Sequence, residues 1–149
     1  RVRVPQTPRP PHARRSDVVQ FEVRGSLGIR VCDVLSYNAQ LDASEDRVLE
    51  RTGVRQIHHV MTWPGYDRSG RYIVVQENGL FISRGRLAWA VCRQIRTFVQ
   101  YITRVGRSNQ RWAINDHGPG IRLQDLWLVS IVHDGNVWRS EIEAHVQAP

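Results

Sequence analysis

The chain has 149 residues, 41% hydrophobic and 8% aromatic, and its 21 basic and 14 acidic residues give a net charge of +7 at neutral pH. This length and apolar fraction are typical of one globular domain and exclude an intrinsically disordered chain. No apolar run approaches the roughly 20 residues that cross a bilayer, which excludes a transmembrane helix and predicts a soluble protein with no membrane partner.

The positive charge is unevenly distributed along the chain. All 21 basic residues are arginines; five lie in residues 1–16 and seven in residues 78–115, and neither segment contains an acid. The remaining residues contain nine arginines against all 14 acids. Two basic segments on a mildly acidic body are typical of a protein with a polyanionic partner.

Two cysteines, Cys32 and Cys92, are too few for a disulfide framework. Both occupy apolar positions, which predicts two reduced thiols in the core. Reduced thiols favour a cytoplasmic or nuclear location.

Residues 1–16 contain four prolines and no apolar periodicity. This pattern predicts a basic, proline-containing arm outside the core, followed by a single α+β domain at residues 17–149. Arg14 and Arg15 at the end of the arm are candidate phosphate contacts. A solvated tail without a specific role is the alternative.

The domain is predicted to be α+β, with an antiparallel sheet packed on one long central helix and one shorter helix, in the order ββα-ββα-βββ. Alternating apolar residues, apolar runs and turn signals define the strands, and Asn78-Gly79 is a strong hairpin signal. Asp33 is expected to cap the shorter helix, which would begin at Val34-Leu35 and run to about Glu50 with a break near Leu41–Asp42. The strands are predicted at residues 18–24 and 29–31 before the shorter helix, at 54–63 and in the hairpin of 71–76 and 80–82 before the long helix, and at 111–114, 126–133 and 137–146 after it.

The central helix is predicted from Ser83 to Val105, with Ser83 as its N-cap and Gly106 after its last turn. One face is an apolar stripe expected to pack on the core, made of Leu87, Ala88, Val91, Cys92, Ile95, Phe98, Val99 and Ile102. The opposite face carries Arg86, Trp89, Arg93, Arg96, Gln100 and Arg104. An exposed tryptophan among arginines suits single-stranded nucleic acid, and it also suits a protein interface. A solvated basic face and a face covered by the sheet are the other interpretations.

Four short stretches of the chain are distinctive: the Trp63-Pro64-Gly65-Tyr66 turn, the Ile82–Ala88 helix start, Arg111-Trp112, and the Gly120–Val129 segment that leads to Trp138. Together they resemble an uncharacterised protein family of mushroom-forming (basidiomycete) fungi. The resemblance covers most of residues 18–146 and implies one compact α+β domain. It implies no activity, cofactor or catalytic residue, and the basic arm departs from the family pattern.

Sequence motifs of the common enzyme classes are missing from the chain, among them the phosphate-binding loop, the nucleophile elbow and the HExxH zinc motif. His58 or His59 could join Asp67 or Asp116 as metal ligands, but neighbours on a strand point to opposite faces, which favours one surface and one packed histidine. Turn residues Asp116-His117 and His133-Asp134 are the remaining acid–base candidates. No metal site and no cofactor are predicted, and a non-enzymatic function is favoured.

The predicted function is a binding module whose first candidate partner is nucleic acid or another polyanion. Arginines of the arm and the helix would contact phosphates, namely Arg14, Arg15, Arg86, Arg93, Arg96 and Arg104. Trp89 would stack a base, so that Trp89→Ala would reduce affinity without reducing stability. The alternatives are a protein-interaction or self-assembly domain that docks an acidic surface on the same helix face or arm, and a hydrolase that uses the turn histidines.

Overall fold

The computed structural model describes residues 1–6, 17–105, 111–115 and 120–146, with the side chains of residues 103–105 outside the description. In these ranges the chain is α+β, as predicted, with a mostly antiparallel sheet, one long helix and one shorter helix. The helices are α1 (Val31–Leu35) and α2 (Arg84–Val105), and short 3-10 helices span Glu50–Thr52 and Leu123–Asp125. The strands are β1 (Val2–Arg3), β2 (Val18–Gln20), β3 (Glu22–Val23), β4 (Ser26–Leu27), β5 (Ile29–Arg30), β6 (Gln56–Met61), β7 (Ser69–Val74), β8 (Gln76–Glu77), β9 (Leu80–Phe81), β10 (Leu126–His133) and β11 (Trp138–Ala144).

The main sheet has the strand order β2-β10-β11-β6-β7, with β5 beside β10 and β1 beside β11. All its pairings are antiparallel except that of β11 with β6, where Trp138 lies opposite His59. Helix α2 lies between these two strands in the chain, and a crossover of this kind is what a parallel pairing requires. Strand β7 is the last strand in this order and, among the described residues, pairs only with β6, so it forms one edge of the sheet.

Helix α2 follows the predicted pattern closely. The Ser83 hydroxyl accepts a hydrogen bond from the Arg86 backbone N–H at 3.2 Å, which confirms the predicted N-cap. All eight residues of the apolar stripe are buried against the sheet. On the opposite face, Arg86, Arg93 and Gln100 are exposed, whereas Trp89 and Arg96 are half-buried.

Two predicted hairpins are confirmed. Asn78 and Gly79 both have positive φ, at 52° and 80°, in the tight turn that joins β8 to β9. At the turn between β10 and β11, the Asp134 carboxylate accepts hydrogen bonds from the N–H groups of Asn136 and Val137. Both turns rely on local side-chain or backbone preferences that are visible in the sequence.

The predicted helix from Asp33 to about Glu50 is wrong in extent. Helix α1 covers only Val31–Leu35, and Asp33 lies inside it rather than at its cap. The chain then turns at Tyr37, which has φ 60°. The Asp42 carboxylate accepts hydrogen bonds from the N–H groups of Arg24 and Gly25, so this segment is held by tertiary contacts that compete with helix formation.

The predicted strand at residues 111–114 is also corrected. Trp112 and Ile114 are buried, but the segment makes only a single bridge, between Ile114 and Ile121. The Ile114 N–H donates instead to the Tyr66 hydroxyl at 3.0 Å, and the Trp63 indole donates to the Trp112 carbonyl at 2.6 Å. The apolar side chains of this segment fill the core, and two of its backbone groups are hydrogen-bonded to the Tyr66 and Trp63 side chains instead of to a neighbouring strand.

The start of the chain differs from the predicted arm outside the core. Strand β1 pairs with β11, and Val4 is 2% exposed in the core. Arg1 lies over the Trp127 ring and pairs with Glu143 at 3.1 Å, while Arg3 pairs with Glu141 at 3.0 Å. Residues 1–4 are therefore an integral part of the sheet, and residues 7–16 lie outside the described residues.

Candidate functional site

A groove of about 780 Å³ runs between helix α2 and the edge strand β7, and residues of the β8–β9 hairpin also line it. Four arginines line it, Arg47, Arg71, Arg86 and Arg93, and Glu77 is the one carboxylate among its lining residues. We call this surface the basic groove. Its excess of positive charge makes it the most favourable place for an anion among the described cavities.

The groove follows from the periodicities of its two walls. On β7, Arg71 and Ile73 point toward the helix, because side chains alternate along a strand. Arg71 lies opposite His59 of β6, and Ile73 lies opposite Ile57 of the same strand. On α2, Arg86 and Arg93 lie seven residues apart, which places them on one face nearly two turns apart. The two walls therefore present their cations to the same space.

The groove arginines are not paired with carboxylates, a property that they share with other exposed arginines such as Arg51 in the described part of the chain. Arg1, Arg3, Arg84 and Arg139 each form an ion pair with a nearby acid. Within the described residues, none of the four groove arginines has such a partner; Arg47 donates only to the Phe81 carbonyl at 3.0 Å. Their guanidinium charge is available to an external anion.

Trp89 is half-buried and packs against the core, which differs from its predicted exposed position. The Arg86 and Arg93 guanidinium carbons lie 4.4 and 4.7 Å from the centre of its ring. The ring of Tyr37, 76% exposed, stacks on it with 6.5 Å between ring centres. Trp89 thus holds two arginines by cation–π contacts, which leave the guanidinium N–H donors available.

A smaller cavity of about 140 Å³ lies beside the basic groove, lined by residues of β6, β7 and α2. His59 is 1% exposed there, and its Nδ1 lies 2.7 Å from the Gln94 side-chain oxygen. Burial lowers the pKa of His59 to about 4, although the hydrogen bond to Gln94 opposes this shift. The imidazole is therefore neutral at physiological pH.

Only part of the predicted binding set is brought together. Arg86, Trp89 and Arg93 form one cluster, and Arg96 is half-buried outside the residues that line the groove. Arg14 and Arg15 lie outside the described residues, as does the side chain of Arg104.

Sequence reasoning missed Arg47, Arg71 and Gln94, and it did not say which residue of the His58-His59 pair is the packed one. A signal for His59 was present, because it alternates in phase with the buried residues Ile57 and Met61. Its neighbour His58 lies on the opposite face and stacks on Tyr72, which confirms the expected split of the pair. Arg47 and Arg71 carried no such signal, since their place in the groove depends on long-range pairing.

The other candidate residues have structural contacts. His133 packs edge-on against Trp138 and accepts a hydrogen bond from the Gly135 N–H, while Asp134 pairs with Arg139 at 3.3 Å. Residues 116 and 117 are outside the described part of the chain. Both cysteines are free thiols; Cys92 is buried in the core, as predicted for both, whereas Cys32 is only half-buried.

Comparison of the chain with protein-family models, with curated proteins and with solved structures found no match. Across the described ranges, no helix is long and apolar enough to cross a membrane. The same ranges contain no cluster of three or more His, Cys, Asp or Glu side chains arranged to hold a metal ion. Arguments about function therefore rest on the basic groove and the adjoining cavity.

Proposed function

We propose that the protein is a non-enzymatic binding module that holds single-stranded nucleic acid in the basic groove. The observation that carries this proposal is the set of four arginines along one groove, without carboxylate partners among the described residues. A flexible phosphodiester strand suits such a groove, because successive phosphates can meet successive guanidinium groups.

Trp89 has a different role in this proposal from the one expected of an exposed stacking residue. Arg86 and Arg93 are already held against the Trp89 ring, so they lose less side-chain entropy when they bind phosphate than unrestrained arginines would. This smaller entropy loss favours affinity. Tyr37 remains exposed at the outer end of this aromatic stack. In the proposed complex it is the ring that offers an open face to a base.

The test is a titration of a fluorescein-labelled single strand of about ten nucleotides at several salt concentrations. The double variant Arg86→Gln/Arg93→Gln should bind roughly tenfold more weakly or worse, and its salt slope should fall by about 0.7 for each phosphate that the protein no longer neutralises. Arg51→Gln is the matched control, because Arg51 is exposed and does not line the groove. Binding that is independent of salt, or that ignores the double variant, would overturn the proposal.

A second candidate is favoured by the open edge of β7, which in the described part of the chain pairs only with β6. Val75 donates its N–H toward the β6 side, to the Arg55 carbonyl, so the alternating residues Tyr72 and Val74 direct their backbone groups away from β6. The Tyr72 carbonyl already accepts from Gln94, which leaves the backbone groups of Val74 and the Tyr72 N–H for a further strand. An acidic peptide, or a second copy of the chain, could add a strand there beneath the groove arginines.

Light scattering separates this candidate from the first. A molar mass that rises with protein concentration in the absence of nucleic acid would support self-assembly through the edge. A constant mass, together with displacement of labelled nucleic acid by a polyglutamate peptide, would favour an acidic peptide at the same groove.

Membership of the basidiomycete family and a cytoplasmic or nuclear location both stay predictions.

A further inference from the structure

The buried imidazole of His59 has one nitrogen in use and one unused. Nδ1 is hydrogen-bonded to Gln94, whereas Nε2 is buried and has no hydrogen-bond partner among the described residues. Buried polar atoms in folded proteins are nearly always paired, so an unpaired one in a cavity wall indicates a missing partner.

The chemical character of the missing partner follows from the hydrogen bonds of Gln94. Its side-chain nitrogen donates to the Tyr72 carbonyl at 3.1 Å, and a carbonyl can only accept. The Gln94 amide oxygen therefore faces His59 and accepts from Nδ1–H. In a neutral imidazole this leaves Nε2 as a lone-pair acceptor, so its partner must be a hydrogen-bond donor.

The cavity of His59 adjoins the basic groove, because the two spaces share lining residues. Arg71, Gln94 and Thr97 line both spaces. A phosphate bound at Arg71 would place the attached sugar beside this cavity, and the side chains that enclose Nε2 must move aside for a hydroxyl to reach it. Its volume of about 140 Å³ is enough for a polar group larger than a single water molecule.

We propose that the cavity takes a ribose whose 2′-hydroxyl donates a hydrogen bond to His59 Nε2, so that the protein selects RNA over DNA. This inference rests on the proposed binding of single-stranded nucleic acid in the groove. Within a nucleic-acid strand the 3′ and 5′ oxygens are esterified, and the 2′-hydroxyl is the one hydrogen-bond donor on the sugar. It is also the group that distinguishes RNA from DNA.

The test compares three single strands of one sequence on the unaltered protein: RNA, DNA and 2′-fluoro RNA. A fluorine at this position preserves the ribose pucker but cannot donate a hydrogen bond. RNA should bind about threefold to tenfold more tightly than either analogue, the range expected for one hydrogen bond to a neutral acceptor. Equal binding of all three overturns the inference and leaves the proposed function intact, whereas no binding of any strand removes the proposed function itself.

A second measurement follows the imidazole directly and requires no variant. In protein labelled with 15N-histidine, His59 Nε2 should resonate as an unprotonated nitrogen, and RNA should shift that signal while DNA should not. His59→Phe should bind all three strands alike, and His58→Phe, on the opposite face of β6, should keep the preference for RNA. A protonated Nε2 in the free protein, or a preference that survives His59→Phe, would overturn the inference.

Discussion

Gln94 connects His59 to the edge of the sheet: its side-chain oxygen lies 2.7 Å from His59 Nδ1, and its side-chain nitrogen donates to the Tyr72 carbonyl at 3.1 Å. The two residues are 35 positions apart in the chain and come from different elements. Their contact joins helix α2, strand β6 and strand β7 at the point where the basic groove meets the smaller cavity. The protonation state of His59 is therefore tied to the packing of the helix on the sheet edge.

His59 should make the protein less stable in mild acid. Its pKa is 6.5 when unfolded and about 4 when folded, so the unfolded state binds the proton more readily across that range. Stability is then fully present above pH 6.5 and falls toward pH 4, by about 1.4 kcal/mol per pH unit and roughly 3 kcal/mol in total. Urea unfolding at several pH values measures this slope.

The neighbouring residue His58 provides the control for this dependence of stability on pH. His59→Gln removes the buried titrating group and should flatten the pH dependence above pH 4, whereas His58→Gln, half-buried on the opposite face, should retain it. Burial is the main cause of the lowered pKa of His59, and electrostatic interaction with His58 lowers it further. An unchanged slope in His59→Gln would show that another group causes the loss.

Trp89→Ala should reduce stability as well as binding. The half-buried ring packs against the core and holds Arg86, Arg93 and Tyr37, so its removal should cost about 1–3 kcal/mol of unfolding free energy. Tyr101→Ala on the same helix, where the ring is 65% exposed, should cost far less. Thermal unfolding of both variants decides the matter, and equal melting temperatures would contradict the observed packing.

Val4→Ala should destabilise the protein, while Val2→Ala should not. Val4 is 2% exposed and its N–H donates to the Ile142 carbonyl at 2.8 Å, whereas Val2 is 40% exposed in the same extended segment. The loss of two buried methyl groups should cost about 2 kcal/mol, measured by chemical denaturation. A similar effect of both substitutions would mean that residues 1–4 do not contribute to the core. Truncations that probe the basic arm should therefore retain these residues.

Asp134→Asn should weaken the β10–β11 hairpin by about 1–3 kcal/mol. Burial of Asp134 opposes ionisation, but the N–H groups of Val137 and Asn136 and the charge of Arg139 prevail, which lowers its pKa below 3.8. The carboxylate thus contributes stability above pH 3.8 that is lost as the pH falls through the folded pKa.

Acid denaturation measures the contribution of Asp134. The Asn variant should lose part of the acid-induced drop in stability, whereas Glu45→Gln, at an exposed carboxylate, should keep it. An Asn variant as stable as the unaltered protein would show that the charge contributes nothing.

Helix α2 and the two hairpins could be predicted because their signals are local. The apolar stripe, the Ser83 cap, Asn78-Gly79 and the Asp134 turn each depend on residues within a few positions of one another. The same holds for the cluster of Arg86, Trp89 and Arg93, which helical spacing brings together. Local geometry is enough in these cases because the backbone sets the distance between near neighbours.

The errors lie where distant contacts compete with local preference. Residues after Leu35 have a helical pattern, but Asp42 instead binds the N–H groups of Arg24 and Gly25. Val4 joins the core through strand pairing with the far end of the chain. Pairings of this kind depend on which elements meet, a property that no single window of sequence contains.

The sequence by itself determined the fold class, the long helix and a helix face rich in arginine, because each arises from spacing within one element. Tertiary structure alone decided that Arg71 of the sheet edge faces Arg86 and Arg93 across one groove, and that Gln94 orients His59. Helix α2 and strand β7 form the two walls of the groove, and burial of the apolar stripe of α2 against the sheet sets their relative position. The candidate site is thus a product of packing, and its chemistry belongs to residues that lie far apart in the chain.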